Sequence, residues 1–193
     1  MRNTAVYIGS LTADTAYETE HFLLRLVRES DADDLLVCYS DPAAQKFFNY
    51  DPSTNRNYFH DCTRESILEM ICWWRKEFER KSWVRFSIID KLMQKAIGAV
   101  EIYDKFVREN RKYAGWAVVR IDILSSYEKA DRIGELLELF NGFYKLFDVD
   151  FFVTKAIPEA TERINALQIA GYTPFAWNTP NRSHYWGKCA QHE

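Results

Sequence analysis

The chain has 193 residues and a mass of 22.8 kDa, enough for one domain with a substantial core, and its 47% hydrophobic and 16% aromatic content excludes a disordered chain. A net charge of −3 and a pI of about 5.9 give no electrostatic reason to expect nucleic acid or an anionic membrane as partner. No apolar run approaches the roughly 20 residues of a membrane span, and the N-terminus lacks the continuous apolar stretch of a signal peptide.

In chain order, "HFLLRLVRES" sets Phe22, Leu24 and Leu26 against polar neighbours and reads as a strand. Ser30 then reads as the N-cap of a helix over "DADDLLVCY", whose first turn is acidic, as a helix dipole favours. Pro42 and Pro52 break the next stretch into short turns and a loop. From Thr63 to about Lys81, Ile67, Ile71, Trp74 and Phe78 recur on one face of a helix. "WVRFSIID" and "AIGAVEIYD" flank "KLMQK" as a hairpin, and the polar loop "KFVRENRK" leads to the strand "YAGWAVVRIDIL". A helix follows with Ile133, Leu136, Leu137, Phe140, Tyr144 and Phe147 along one side, then the short strand "DFFVTKAI". Pro158 suits the first position of a last helix, Gly171 its C-cap, and "GYTPFAW" with "SHYWGK" a closing hairpin. The order predicts a single α/β domain with a mixed sheet. Cys38, Cys62, Cys72 and Cys189 are too dispersed for a zinc site and suit free thiols in a reducing cytoplasm.

The stretch "SSYEKADRIGELLELF", Ser125 to Phe140, carries most of the functional information. A strand turning directly into a helix offers free backbone N–H groups to a phosphate. Here only Gly134 is a glycine, and Glu128 and Asp131 stand where an anion would sit. Ser125 and Glu128 also have capping-box spacing, which would start the helix early.

This order, with "FLLRLVRESDADDL", "IGAVEIYD", "RIDILSSYEKADRIGELL" and "VTKAIPEATERINALQIAGYTPF", resembles the GNAT acetyltransferases of the RimJ/RimL type over residues 19–178. The resemblance implies a GNAT-like mixed central sheet flanked by helices. The strands at 113–124 and 151–156 would be parallel neighbours joined by the helix at 131–147, splayed at their C-terminal ends to admit a pantetheine arm. It implies acetyl-CoA as co-substrate and an amine acceptor, on a small molecule or a peptide terminus, for a monomer or homodimer. The family's loop pattern, Gln/Arg-x-x-Gly-x-Gly/Ala, places Lys129 at the basic first position, Arg132 at the inner glycine and Gly134 at the last small residue. The donor site would then comprise Lys129, Ala130, Arg132, Ile133 and Gly134 with the backbone of Ile121 and Ile123. The family's helix asparagine falls on Ala160 and its thiolate-protonating tyrosine near Leu167, so neither side chain is in place.

Transfer to an amine needs a neutral amine, a polarised thioester carbonyl and a proton for the sulfur. A backbone N–H near Ile123 would supply the polarisation. Glu101, in "GAVEIYD", and Asp122, closing "VVRID", are the carboxylate candidates, with Tyr127 as a proton donor. The alternative for Glu101 and Asp122 is a solvated strand face or an ion pair with Arg120, and for Tyr127 a packed role in the turn; Trp73, off the core stripe of its helix, would line an acceptor groove. A chain whose altered loop no longer holds the cofactor would instead be a non-enzymatic binding or regulatory module.

Overall fold

The computed structural model describes residues 11–48, 59, 61–103, 115–176 and 183–190. The polar loop "KFVRENRK" and the loop around Pro52 lie outside the described residues. Chain order is β1 (Ala16–Glu18), β2 (Phe22–Leu26), α1 (Ala32–Tyr39), α2 (Pro42–Gln45), α3 (Arg64–Glu79), β3 (Val84–Asp90), β4 (Lys95–Tyr103), β5 (Trp116–Ile123), α4 (Ala130–Leu146), β6 (Phe151–Lys155), α5 (Thr161–Ile169), β7 (Thr173–Phe175) and β8 (Tyr185–Cys189). The strands form one eight-stranded sheet in the order β1-β2-β3-β4-β5-β6-β8-β7. Every neighbouring pair is antiparallel except β5 and β6, which run parallel and are joined by α4.

Alternation along the strands builds two cores, one on each face. On the first face Phe22, Leu24, Phe86, Ile88, Val100, Ile102, Val119, Ile121 and Ile123 pack under α4 and α5, against Ile133, Leu136, Phe140 and Leu167. On the second, Leu35 and Tyr39 of α1 and Ile67, Ile71 and Trp74 of α3 pack with Ile89 and Ala96. Each such aliphatic or aromatic side chain contributes about 1.5–3 kcal/mol through removal from water.

β3 and β4 keep register except at a bulge, where Ile88 pairs with Gly98 and Ile89 with Ala96, leaving Ile97 extra. The displaced Ile97 carbonyl accepts the Leu124 N–H at 2.9 Å, so the bulge holds the end of β5. Gly98 lies so close to β5 that a Cβ there would stand 2.1 Å from the Asp122 carbonyl oxygen.

Several expected boundaries shift for local reasons. Thr63, where the helical pattern begins, is the N-cap of α3, its hydroxyl accepting the Ser66 N–H and the Ser66 hydroxyl accepting the Thr63 N–H. Ser30 does not cap α1: a 3-10 turn covers Glu29–Asp31 and the helix starts at Ala32. The reason is Asp31, which turns inward to accept from Arg25, Ser87 and the Arg28 N–H. Pro158 does not open α5 either. Ala160 N–H bonds back to the Ile157 carbonyl, so Pro158 occupies the second position of a β-turn that precedes the helix. The edge strand β1, three residues long and exposed at both ends, is too short to show a period.

Candidate active site

The parallel ladder of β5 and β6 covers only Trp116–Phe151, Ala117–Phe152 and Val118–Val153. Beyond Val153, β6 continues in register with β8 alone, Thr154 opposite Trp186 and Lys155 opposite Tyr185. β5 runs on beside β4 as far as Ile123. A gap therefore opens between β5 and β6 at their C-terminal ends. Because the Leu124 amide points to β4, alternation directs the N–H groups of Ile121 and Ile123 to the opposite edge, toward that gap. Two buried polar atoms near it, Thr154 Oγ1 and Asp122 Oδ1, have no hydrogen-bond partner among the described residues, the usual mark of a place for water or ligand.

The turn after β5 consists of a 3-10 turn, Ser125–Tyr127, then Glu128, and Lys129 as N-cap of α4. The helix thus starts at Ala130, and the Ser125–Glu128 spacing does not form a capping box. Four side chains from three other places fix this turn. Asp41 accepts the Ser125 N–H at 2.9 Å, and Tyr127 donates its hydroxyl to Asp90 at 2.7 Å. Arg163 donates Nε and Nη2 to the two oxygens of Glu128, both at 2.7 Å, and Glu162 accepts the Ala130 N–H at 2.9 Å. The amides of Asp131 and Arg132 make no backbone hydrogen bond among the described residues, so the first turn of α4 presents two donors. Lys129 is exposed, while Arg132 shares its charge with Asp131 and Glu135, at 3.7 Å from each. Ile133 is packed in the core; a Cβ placed on Gly134 would meet nothing within 4 Å. The backbone of this stretch and its basic side chains fit an anionic group, with Glu162 standing on one donor.

Glu101 and Asp122 lie on the second sheet face, in a charged row that the strand register builds. Arg85, Glu101 and Arg120 are direct cross-strand neighbours on β3, β4 and β5. Arg85 Nη1 donates to Glu101 at 2.6 Å and its Nη2 to both Asp122 and the Tyr39 hydroxyl; Arg120 reaches Glu101 at 3.5 Å. Arg85 is buried and lies 4.2 Å above the Trp74 ring. Burial pulls its pKa down, but Tyr39, Asp122 and Glu101 more than offset this and raise it. Burial likewise pushes the Tyr39 phenol well up. Both carboxylates thus accept from fixed cations on the second face, Asp122 on β5 and Glu101 one strand further from the gap, on β4.

The Tyr127 ring lies 6.2 Å from Phe22, and burial together with the bond to Asp90 pushes its pKa up to about 12. Leu167 and Ala160 are buried apolar positions, so no side chain replaces the family's tyrosine or asparagine there. Trp73 is exposed and stacks edge-on with Trp83 at 5.2 Å on α3's outer side. Three residues escape sequence reasoning: Tyr39, Arg85 and Arg163. Only Arg163 leaves a signal, an arginine one helical turn from Ala160, Ala166 and Leu167, all apolar and buried.

No family model matches the sequence, and no curated protein matches it. Solved structures match most of the chain. A ribosomal-protein-S5-alanine acetyltransferase from Vibrio fischeri is 16% identical with a TM-score of 0.67, over 91% of this chain and 97% of that one. RimJ of Mycobacterium smegmatis, in complex with CoA-disulfide, is 14% identical with a TM-score of 0.68, over 92% and 88%. A GNAT-family acetyltransferase from Bacillus anthracis is 14% identical with a TM-score of 0.65, over 91% and 98%. The eight-stranded mixed sheet flanked by helices has the GNAT acetyltransferase fold, with RimJ-type structures among its neighbours.

Proposed function

We propose that the chain is an acetyl-CoA-dependent N-acetyltransferase acting on an amine of a small molecule or of a peptide or protein N-terminus. The observation that carries this is the parting of the parallel pair β5–β6 after Val118 and Val153, followed at once by a turn whose helix offers unpaired amides. In this reading the pantetheine arm enters the gap, and the outward N–H groups of Ile121 and Ile123 orient it and polarise the thioester carbonyl. The amides of Asp131 and Arg132, with Lys129 and Arg132, take the pyrophosphate, over the open surface at Gly134.

Asp122 lies on the second face of β5, where one buried carboxylate oxygen has no partner among the described residues, and Glu101 stands behind it on β4. That oxygen is suited to hold the acceptor's ammonium or to pass its proton to water. An α-amine, with a pKa near 8, needs less help from a base than a lysine near 10.4, so an N-terminal acceptor suits carboxylates already engaged by arginines. Tyr127 places a phenol within the turn, but its proton is committed to Asp90.

The test is calorimetric titration with acetyl-CoA, with thermal unfolding in its presence and acetyl transfer to a panel of amines and short peptides. Acetyl-CoA at 100 times its Kd is expected to add about 2.7 kcal/mol of stability. Absence of both binding heat and thermal shift would refute the donor assignment and favour the non-enzymatic module.

A further inference from the structure

One buried ion pair next to the donor turn has no part in that chemistry. Arg163 of α5 is 1% exposed and Glu128 is 6% exposed. Their contact is bidentate, and the third guanidinium nitrogen, Nη1, reaches the Phe47 carbonyl at 3.4 Å. A pair this buried gains little net stability over apolar residues of the same volume, because both charges lose their water. Its position points to another role. Glu128 immediately precedes Lys129, the N-cap of α4; a carboxylate turned outward from there would face any anion on the first turn of the helix. Arg163 holds it inward instead, and the same contact sets the path of the chain into α4.

We propose that Arg163 is a positioning residue for the donor site: it draws the charge of Glu128 inward, away from the phosphate position at the first turn of α4. The proposal rests on the donor reading above. It makes phosphate-bearing donors dependent on Arg163 and phosphate-free donors indifferent to it.

The experiment compares acetyl-CoA with acetyl-pantetheine, which has the same thioester and no phosphate. Both are titrated and turned over with the wild type, Arg163→Met, and the double variant Glu128→Gln/Arg163→Met. Arg163→Met is expected to raise KM for acetyl-CoA about tenfold or more, since like charges a few ångströms apart at a half-buried site repel strongly. KM for acetyl-pantetheine should stay within about twofold, and the double variant should recover most of the acetyl-CoA affinity, the exposed charge having gone with its partner. Proportional losses for both donors, without recovery in the double variant, would reduce Arg163 to a purely structural residue and overturn the proposal. Should Arg163→Met fail to fold, the double variant, which leaves no unpaired buried charge, carries the test. Near-wild-type acetyl-CoA affinity there supports the proposal; selective loss of it would mean that Arg163 contacts the phosphates itself, and overturns it. A wild type that binds neither donor removes the donor reading and this proposal with it. A wild type and variants that bind acetyl-CoA alike remove the positioning role alone.

Discussion

Gly134 lies in the second turn of α4 with open space where a Cβ would point, so nothing in the protein itself requires a glycine there. Replacing it with alanine relieves the backbone entropy cost of a helical glycine. Gly134→Ala is therefore expected to raise stability by about 0.5–1 kcal/mol while weakening acetyl-CoA binding, measured by thermal unfolding and titration side by side. Unchanged affinity would show that no phosphate approaches this surface. Glu162 offers the opposite sign. Its carboxylate occupies the Ala130 N–H from an exposed position, in competition with any incoming anion. Glu162→Gln is expected to tighten acetyl-CoA binding about two- to fivefold, the worth of about 0.3–1 kcal/mol for an anion at a helix N-terminus; weaker binding would mean that the glutamate is needed as a cap. Neither effect is readable from the loop pattern alone. Lys129, Arg132 and Gly134 stand out by residue type, but the partners of Glu128 and Ala130 come from more than 30 residues away, 35 for Arg163 and 32 for Glu162. Short-range capping logic assigns Glu128 to its own helix; the long-range arginine wins because it satisfies both carboxylate oxygens at once.

Among the elements, the central strands are legible because their periods are strong and local. Val84, Phe86 and Ile88, like Val119, Ile121 and Ile123, alternate without a break, and both sets face the α4 core. What alternation leaves out is the content of the other face. Arg85, Glu101, Arg120 and Asp122 look like solvent-facing residues of a half-exposed sheet, yet α1 and α3 cover that face and the charges must pair with one another. The β3–β4 bulge is equally silent in sequence, though Gly98 is its trace. Gly98→Ala would bring a methyl group against the Asp122 carbonyl, a backbone atom that cannot swing aside. The variant is expected to lose at least about 1–3 kcal/mol by overpacking and to disturb the Ile123 end of β5, so that acetyl transfer falls along with the denaturation midpoint. A midpoint equal to that of the wild type would show that β4 and β5 can part there freely.

For the whole molecule, the paired acids predict its response to pH. Burial alone would raise the carboxyls of Asp31 and Asp90, but hydrogen bonds from Arg25 and Ser87 to the first, and from Met93 and Tyr127 to the second, hold both below their ordinary value of 3.8. A carboxyl depressed by folding adds stability at pH values above its unfolded pKa and loses it as pH falls through the folded one. Tyr127, raised from 10.0 to about 12 by burial and by Asp90, works the other way, adding stability below about pH 10 that is lost as pH rises to 12. Tm measured against pH should therefore form a plateau bounded by losses below about pH 4 and above about pH 10. A Tm that kept rising as the solution was made more acid would contradict the pairing. The four side-chain holds on the donor turn carry a consequence of a different kind, in the order of events during folding. They link Ser125 to Asp41, Tyr127 to Asp90, Glu128 to Arg163 and Ala130 to Glu162, contacts separated by 84, 37, 35 and 32 residues. Loop-closure entropy delays such contacts relative to hairpins and helices. A chain emerging from denaturant should regain its tryptophan signal before it can hold acetyl-CoA, and a nascent chain ending before α5 would carry the strand, the turn and the helix of the site with only two of the turn's four holds in place.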